Sequence, residues 1–432
     1  MSAAERTTAV EASFLALERE GLSMHVAGVV LLAGGRPVTL RDLKHLVATR
    51  VRRLPRFGQR AHTPFGGRSS SWVQVARIDY GAHLFHHELP APGRASQLHE
   101  LCARIHEQPL DRDRPLWEMH LIDGLAGGAQ ALVIKTHHAI TDGLAGMEIA
   151  EVMFDPAAGK PRPHVPATRF VEPCLPSPLT VLQGLVGLAF TAAGGPIAVD
   201  GPFNGPVGPH RTFATATLRM DALRRLKREL GGSIDDVVVA IVAAGIGRYL
   251  REVGYPELPT ALRAMLPVST RPPARGVHLG NHVSAVFIDL PTDAEDVPAL
   301  VRSVAASKAT LRTAHAAAGG AMLVSAAGLL PAPVHRAILR LVSDTQFANL
   351  VLSDVPGPAD QLYLLGRRVV ACYPMMPLGG HVGLAVAAVS MGGTMGIGIT
   401  ADPGLVPEPQ RLASAIERVL PSLAGETSRR AA

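Results

Sequence analysis

Two histidines, an aspartate and a glycine within seven residues are the part of the sequence best suited to chemistry. His137 and His138 begin the run HHAITDG, which ends with Asp142 and Gly143. An imidazole titrates near neutral pH, so it can take the proton of an alcohol while the alcohol oxygen attacks a carbonyl carbon. The same group can then protonate a departing thiolate. The run is therefore suited to acyl transfer from a thioester without a protein nucleophile, and the sequence contains no GxSxG elbow.

The residues on either side of this run determine how its side chains are held. Residues 131–136 are almost continuously apolar, as expected of a strand buried on both faces, and an apolar helical pattern begins at Leu144. A strand end followed by a tight Asp-Gly turn can project side chains into a cleft from a fixed backbone. If the strand conformation persists, the two imidazoles point in opposite directions. One histidine then faces a substrate, and the other serves orientation or packing.

Two other interpretations of the run stay open on these residues alone. Both histidines and Asp142 could hold a metal ion, although the helical HExxH arrangement is missing and adjacent histidines rarely bind one ion together. The pair could also be a buried, hydrogen-bonded element of the core. In the catalytic interpretation, Asp142 accepts a hydrogen bond or pairs with an arginine and so holds the turn.

The composition bounds the architecture and the kinds of partner. A chain of 432 residues fits two domains of about 200 residues each. Apolar residues make up 47% and charged residues only 18%, which leaves apolar surface for a lipid as an option. The net charge of +6 suits phosphorylated ligands or an anionic membrane, whereas dispersed Lys and Arg residues and few aromatics disfavour nucleic acid.

Cysteine usage and the apolar segments indicate the compartment. Cys102, Cys174 and Cys372 are far apart without CxxC pairing, so we expect reduced, buried thiols in a cytoplasmic protein. The polar start MSAAERTTAV lacks the apolar core of a secretory signal. Residues 173–199 carry no charge and could form a membrane span, a linker helix or, as we favour, an interfacial or partly buried helix.

Helical and strand patterns alternate in both halves of the chain. Helices are predicted at 9–19, 40–52, 97–106, 143–153, 221–230, 235–253 and 407–423. Strands are predicted at 25–32, 72–76, 117–122, 131–136, 211–219, 261–268, 282–290, 349–352, 369–373, 383–390 and 394–400. Pro- and Gly-rich stretches at 156–178 and 194–209 break the pattern. We therefore predict an α/β (α+β) fold of two lobes with mixed sheets, at 1–158 and 211–432, joined by a long crossover linker at 159–210.

HHAITDG is one of several motifs that follow one another over nearly the whole chain. The others are SMHVA at 23–27, PLDRDRPLWE at 109–118, GSIDDVV at 232–238, MLPVSTR at 265–271, LGN at 279–281 and SDVPGP at 353–358. In this order they resemble the PMHxG, PLDxxxPLWE, NDV, PVSxR, LGN and SNVPGP elements of the bacterial wax ester synthase/diacylglycerol acyltransferase family, whose HHxxxDG motif HHAITDG matches. That family is similar in turn to the wider coenzyme A-dependent acyltransferases and to peptide synthetase condensation domains.

The resemblance implies two lobes of the chloramphenicol acetyltransferase type that form a tunnel. Acyl-coenzyme A and an alcohol would enter it from opposite faces, as substrates, and the resemblance implies no metal or bound cofactor. His138 matches the general base, His137 its structural neighbour, and Asp142 the residue that fixes the loop, with Arg56 or Arg60 as its candidate partner. The candidate substrate-binding residues are Gly143, Asp235, Ser269, Asn281, Ser353 and Asp354.

Three positions depart from the family pattern. Asp235 and Asp354 stand where the NDV and SNVPGP elements have asparagine, and Met391 stands where an aromatic residue is expected after Ser390. An amide can donate a hydrogen bond, whereas an ionised carboxylate only accepts one. If either amide supports an oxyanion, these departures predict a slower or differently specific enzyme.

Other features have structural as well as functional interpretations. Ser233 followed by Asp236 is typical of a helix cap rather than of catalysis. Trp117 is predicted to anchor the core, and residues 355–358 to form a rigid turn in a channel wall. Four basic residues of the predicted helix at 221–230 suit coenzyme A phosphates or anionic lipid, although a solvated helix face is the commoner meaning. They are Arg224, Arg225, Lys227 and Arg228.

The sequence as a whole predicts an O-acyltransferase that makes triacylglycerol or wax ester from acyl-coenzyme A, peripheral to the cytoplasmic membrane face or a lipid droplet. One alternative is an acyltransferase of the same fold with another acceptor or an acyl-carrier-protein donor. Another is a non-catalytic paralogue that binds lipid. Assays with each thioester distinguish the donors, and lipid retention that is indifferent to His138→Ala would indicate the paralogue.

Overall fold

The computed structural model describes residues 5–19, 21–63, 70–141, 143–156, 200–255, 257, 259–269, 283–293, 296–313, 346–358 and 360–421. Its helices are α1 (Ala9–Leu17), α2 (Leu40–Arg50), α3 (Ala95–Glu107), α4 (Gly143–Met153), α5 (Met220–Leu230), α6 (Ile234–Glu252), α7 (Val297–Thr313) and α8 (Pro409–Glu417). Its strands are β1 (Glu5–Arg6), β2 (His25–Ala33), β3 (Gln59–His62), β4 (Ser71–Gln74), β5 (Leu84–Glu88), β6 (Trp117–Asp123), β7 (Gln130–His137), β8 (Thr212–Arg219), β9 (Ala261–Ser269), β10 (Val283–Pro291), β11 (Leu350–Val355), β12 (Tyr363–Leu364), β13 (Arg367–Met375), β14 (Leu384–Met391) and β15 (Thr394–Ala401). Short 3₁₀ turns lie at Val51–Arg53, Pro55–Gly58, Tyr80–Ala82 and Ala126–Gly128.

Six strands form a first, mixed sheet in the order β12-β13-β2-β7-β6-β5. Neighbouring strands are antiparallel except β5 and β6, which run parallel. β7 lies between β2 and β6, and all of its residues except Ile134 are buried. Its nearly continuous apolar run allows this burial on both faces. The strand that ends in the histidine pair is therefore held in the middle of the sheet.

A second mixed sheet has the order β10-β9-β11-β14-β15-β8. β11 runs parallel to both of its neighbours, β9 and β14, and the remaining pairs are antiparallel. Helix α6 is buried along most of its length and shares one hydrophobic core with this sheet, as expected of a helix that is apolar all round. A methyl group at Gly247 would lie 2.1 Å from the carbonyl oxygen of Thr292, so the close packing of α6 requires glycine there.

The two sheets touch through the backbones of β13 and β15. A Cβ atom at Gly396 would lie 2.0 Å from the carbonyl oxygen of Cys372, and one at Gly398 would lie 1.8 Å from that of Pro374. No side chain fits between the strands at these positions. The two glycines therefore allow the close approach of the sheets, next to strand β13, which also lines the cavity that His138 borders.

Local packing confirms two of the structural predictions. The hydroxyl of Ser233 accepts the N–H of Asp236 at 3.1 Å, and the carboxylate of Asp236 accepts the N–H of Ser233 at 2.8 Å, which is a capping box at the start of α6. Trp117 is fully buried, and its indole N–H donates to the carbonyl oxygen of Phe57 at 2.9 Å.

The predicted elements that fall on described residues are present, with shifts at their ends, but one is placed unexpectedly. The strand predicted at 369–373 is β13, which pairs with β2 in the first sheet, from Arg368 opposite Ala33 to Met375 opposite Ala27. Sequence order alone does not reveal that the second half of the chain completes the sheet of the first half. Helix α7 and the strands β1, β3, β5 and β12 were not predicted. The division of the chain at 158 and 211 stays a prediction.

The expectations about thiols and membrane segments fall partly on described residues. Cys102 and Cys372 are free and buried, whereas Cys174 lies outside the described residues. The segment 173–199 also lies outside them. Within the described ranges no single helix is both long and apolar enough to cross a bilayer, and α5 with α6 meets that test only as a pair bent by 102°.

Candidate active site

The run HHAITDG spans the end of β7, a turn and the start of α4, which is the arrangement predicted from the sequence. Backbone hydrogen bonds hold the turn: the N–H of His138 donates to the carbonyl of Met24 at 2.7 Å, and the N–H of Ile140 to that of His137 at 3.0 Å. Asp142 lies outside the described residues, and Gly143 is the first residue of α4. The histidine side chains therefore project from a fixed backbone.

The two imidazoles have different surroundings. His137 is fully buried, and its Nδ1 accepts the N–H of Ala139 at 3.0 Å. Its proton is therefore on Nε2, which lies 3.5 Å from Oε1 of Glu18. Burial lowers the pKa of His137 to about 4, so this ring is neutral at pH 7. His138, by contrast, borders a cavity between the two sheets.

The ring of His138 lies flat against the ring of Phe14 on α1. The ring centroids are 4.2 Å apart and the planes differ by 1°. A hydrogen bond from the backbone N–H of His138 to Met24 already holds the main chain. The motion that remains is rotation of the imidazole about its side-chain bonds, and a stacked ring can restrict that rotation. Phe14 therefore fixes the plane in which this imidazole is presented to the cavity.

Glu18, at the end of α1, lies at the centre of a partly buried polar network that the sequence did not reveal. Its Oε1 is 3.0 Å from Nε2 of His25 and 3.5 Å from Nε2 of His137. Its Oε2 accepts two hydrogen bonds from the guanidinium of Arg112, at 2.6 and 3.0 Å. His25 belongs to SMHVA and Arg112 to PLDRDRPLWE, so three separate motifs meet at one carboxylate.

The network keeps Glu18 ionised. Burial opposes the charge, but hydrogen bonds from His137 and His25 outweigh it and hold the pKa of Glu18 well below its ordinary value. A carboxylate at the C-terminal end of a helix is unfavourable to the helix dipole. The position of Glu18 at the predicted end of α1 is therefore a weak sequence signal that its carboxylate pairs with residues of other elements.

An apolar cavity of about 150 Å³ lies beside His138. One wall comes from β2, β7, β13 and α4, and the opposite wall from β9, β11 and β14. Polar groups in its lining include the hydroxyls of Thr136 and Ser353. Its apolar lining includes Val26, Gly28, Val30, Ile134, Met147, Ile149, Phe154, Pro267, Val355, Met375, Met376, Ala387, Val389 and Met391. The space suits a hydrocarbon with one reactive polar end.

The two neighbouring candidates on β11 face different surroundings. Ser353 lines the cavity, whereas Asp354, the next residue along the strand, does not. The alternation of side chains along a strand explains the difference. Ser353 is therefore placed with His138, and Asp354 is placed with residues of α6 and α7.

Asp354 belongs to a second charged cluster. Asp235 at the start of α6 is ion-paired with Lys308 of α7, which also lies 3.1 Å from Asp236. Burial and the charge of Asp235 together raise the pKa of Asp354 to about 7, and the charge of Lys308 opposes this rise. Within the described part of the chain, Oδ1 of Asp354 has no hydrogen-bond partner. The two departures from asparagine thus lie in one cluster, joined by a lysine on an unpredicted helix.

The structure describes only part of the surroundings of the other candidate residues. Ser269 is the last residue of β9 and pairs with Val283, and Asn281 lies outside the described residues. Arg56 is buried and donates to Glu5 at 2.8 Å, while Arg60 lies 4.0 Å from Asp113. Since Asp142 is outside the described residues, its arginine partner stays a prediction.

Metal binding and the basic helix were the other open questions. In the ranges that the structure describes, no group of three His, Cys, Asp or Glu side chains is arranged to hold a metal ion. On α5, Leu223 and Leu226 are buried, whereas the four basic side chains of that helix are exposed. Those exposed side chains are Arg224, Arg225, Lys227 and Arg228.

Two family models match this chain. The model of the wax ester synthase/diacylglycerol acyltransferase catalytic domain matches residues 8–174, and the model of the corresponding C-terminal domain matches residues 279–424. A Mycobacterium tuberculosis protein that carries the name diacylglycerol O-acyltransferase is 32% identical, over 94% of this chain and 88% of its own length. Another protein of that name from the same organism is 29% identical, over 98% of this chain and 96% of its own length.

Solved structures share the fold. A wax ester synthase/diacylglycerol acyltransferase from Marinobacter aquaeolei has a TM-score of 0.70 and 23% identity, and the match covers 98% of this chain and 100% of that one. The first condensation domain of the CDA synthetase has a TM-score of 0.66 and 16% identity, over 97% and 96% of the two chains. The starter condensation domain of rhizomide synthetase, in complex with C8-CoA and Leu-SNAC, has a TM-score of 0.64 and 15% identity, over 97% and 95%. These likenesses confirm the predicted two-lobed fold with mixed sheets.

Proposed function

This chain belongs to the wax ester synthase/diacylglycerol acyltransferase family, and from that membership we propose that it transfers a long-chain acyl group from acyl-coenzyme A to a lipid alcohol with His138 as general base. Family membership makes the chain an acyltransferase enzyme; the donor, the acceptor and the base are the proposal. The acceptor is diacylglycerol, which gives triacylglycerol, or a fatty alcohol, which gives wax ester. The observation that carries the proposal is His138 on the wall of an apolar cavity between the two sheets.

The proposed reaction needs one proton carrier. The imidazole of His138 takes the proton of the alcohol while the alcohol oxygen forms a bond to the thioester carbon. The carbon–sulfur bond then breaks, and the imidazolium returns the proton to the departing thiolate, so an ester and free coenzyme A leave. Positioned proton transfer of this kind contributes about 10²–10⁴-fold to a rate. We assign Ser353, across the cavity, as the candidate donor to the developing oxyanion.

The state of the cavity cysteine supports direct transfer. Cys372 lines the same cavity as His138, and its thiol is a potential competing nucleophile. Burial raises the pKa of that thiol to about 12, so the thiolate is hardly populated at neutral pH. A covalent acyl-enzyme on Cys372 is therefore disfavoured, and the alcohol is the nucleophile in the proposal.

The apolar lining of the cavity supports lipid substrates. An apolar cavity of 150 Å³ in another protein holds about one benzene molecule, so the cavity of about 150 Å³ here receives only the reacting ends of the two substrates. We propose that the enzyme works in the cytoplasm, at the surface of the membrane or of a lipid droplet. The exposed basic residues of α5 and the net charge of +6 support attraction to such an anionic surface.

Thiol release from palmitoyl-coenzyme A tests the proposal directly. Purified protein is supplied with dipalmitoylglycerol or hexadecanol, and both free thiol and neutral lipid are measured. We expect acceptor-dependent release, and His138→Ala should lower it at least about 100-fold, because the base is removed. The matched control is His86→Ala, since His86 is a half-exposed histidine paired with Asp123 and not part of the cavity lining.

Three results would contradict parts of the proposal. Activity that survives His138→Ala would mean that another group takes the proton. Release only from an acyl-carrier-protein thioester would replace the donor. Lipid binding without release from either donor, and indifferent to His138→Ala, would mean that the chain is a lipid-binding paralogue.

A further inference from the structure

Helix α1 contacts both members of the histidine pair, through two different side chains. We infer that Phe14 and Glu18 are positioning residues for the reaction, Phe14 by fixing the ring of His138 and Glu18 by holding His137 and placing a negative charge beside that neighbour of the base. The inference rests on the proposed function, since it takes His138 as the base. Neither residue lines the cavity, so both act through the histidines rather than on a substrate.

The contact with Phe14 restricts the one freedom that the backbone leaves to His138. The stacked rings, 4.2 Å apart and parallel to within 1°, hold the imidazole plane without using either of its nitrogens. Placement matters because a misplacement of 1 Å at a reacting group can reduce a rate about 100-fold.

The contact with Glu18 fixes His137 and hence the strand end. The carboxylate lies 3.5 Å from Nε2 of His137, which is an electrostatic contact, and Nδ1 of the same ring accepts the N–H of Ala139, directly after His138. His25 and Arg112 hold the carboxylate from two other elements. His137 thus links the network to the residues on both sides of His138.

Helix α1 is anchored firmly enough to act as a support. Thr8 and Glu11 form a capping box at its first turn. The buried carboxylate of Glu11 also accepts the indole N–H of Trp72 at 3.1 Å and a hydrogen bond from Arg56 at 3.4 Å. The helix is therefore fixed at its start by Glu11 and at its end by Glu18.

The charges of the network have opposite effects on a neighbouring imidazolium. An anion at Glu18 stabilises the imidazolium that forms on His138 during the reaction, and the cation at Arg112 destabilises it. The same signs act on His137, where Glu18 raises the pKa and Arg112 lowers it. The other titratable groups that face the network are His25 on β2, His106 on α3, Glu118 on β6, Lys135 on β7 and Arg211 before β8.

The test is the pH profile of kcat for four purified variants. Glu18→Gln, which keeps the size and loses the charge, should lower kcat about tenfold or more and shift the acidic limb of the profile, on which His138 must lose its proton, to lower pH by about half a unit or more. Arg112→Gln should shift that limb to higher pH. Phe14→Leu should lower kcat about tenfold without moving the limb, because it changes the placement and no charge. KM for palmitoyl-coenzyme A should stay within about twofold in all three.

Glu408→Gln is the fourth variant and the control, because it breaks a glutamate–arginine pair of similar length, 2.9 Å to Arg411, at an exposed site directly before α8. It should leave both kcat and the profile unchanged. Opposite shifts for Glu18→Gln and Arg112→Gln would support the inference, since loss of structure would move both in one direction. Shifts of the same sign, or none, would overturn the role of Glu18, and an unchanged kcat in Phe14→Leu would overturn that of Phe14. His138→Ala, run alongside, separates these results from a failure of the proposed base. If Glu18→Gln does not fold, Phe14→Leu and Arg112→Gln still decide the inference.

Discussion

Two largely buried carboxyl groups, Glu18 at the end of α1 and Asp354 on β11, behave in opposite ways. Glu18 is surrounded by His25, His137 and Arg112, and its pKa is held well below the ordinary value. Burial raises the pKa of Asp354 to about 7, and the nearby carboxylate of Asp235 pushes it in the same direction. Both groups are largely removed from water. The difference lies in the donors that each can reach.

The comparison shows that burial alone does not decide the state of a carboxyl group. Glu18 has enough donors to stay an anion, and its network is built from motifs that match the family. Asp354 stands where the family element has asparagine. A protonated, neutral carboxyl group resembles an amide more closely than a carboxylate does, because its O–H can donate a hydrogen bond. The chain therefore keeps one carboxyl for its charge and holds the other near neutrality.

Removal of the Glu18 side chain should have the largest effect on stability. Glu18→Ala leaves Arg112, His25 and His137 without their shared acceptor, and we expect a loss of about 2–4 kcal/mol in the free energy of unfolding at pH 7. The folded pKa lies below the unfolded value near 4.5, so the contribution is present above pH 4.5 and fades as the pH falls below it. Urea unfolding at pH 7.5 and pH 3.5 measures both. An equal loss at the two pH values would contradict the ionised state.

Restoration of the family amide at Asp354 should have a smaller effect of opposite sign. The folded pKa of Asp354, about 7, is above its ordinary value of 3.8, so the folded state loses stability as the pH rises from about 4 through 7. Asp354→Asn removes that loss, and we expect a gain of about 1–3 kcal/mol at pH 8 that shrinks towards pH 4. The control is Asp113→Asn, at a side chain that is 95% exposed, which should change little at either pH. A gain independent of pH would show that Asp354 does not titrate as described.

The smallest expected effect concerns Lys308, whose positive charge partly offsets the negative charge of the cluster around Asp354. Lys308 is ion-paired with Asp235, whose side chain is 42% exposed, so solvent screens the pair. A double-mutant cycle of Lys308→Met and Asp235→Asn should give a coupling of about 0.5–1 kcal/mol. A coupling near zero would mean that Lys308 is held by Asp236 alone, and that the Asp235 position is free to vary.

The sequence predicted the secondary-structure elements of the site better than the contacts between their side chains. The strand before His137, the turn and α4 follow from a short apolar run and an Asp-Gly pair, because these signals are local. The network around Glu18 joins residues up to 119 positions apart, from Glu18 to His137, and no periodicity encodes such a contact. Helix α7 was missed, and with it Lys308, although the neighbouring capping box of α6 was read correctly from Ser233 and Asp236.

Strand β13 has a consequence for how the protein is made and how it can be recombined. Residues 367–375 pair with β2, whose residues leave the ribosome some 340 positions earlier, so the nascent first half presents an open strand edge that invites pairing with other chains. The cavity beside His138 is completed only after β13 has been synthesised and has paired with β2. Gly396 and Gly398 of β15 then pack against β13. A truncated protein that ends between residues 159 and 210 should consequently be insoluble when it is expressed. A chimera with a relative should fold only when β2 and β13 come from the same parent.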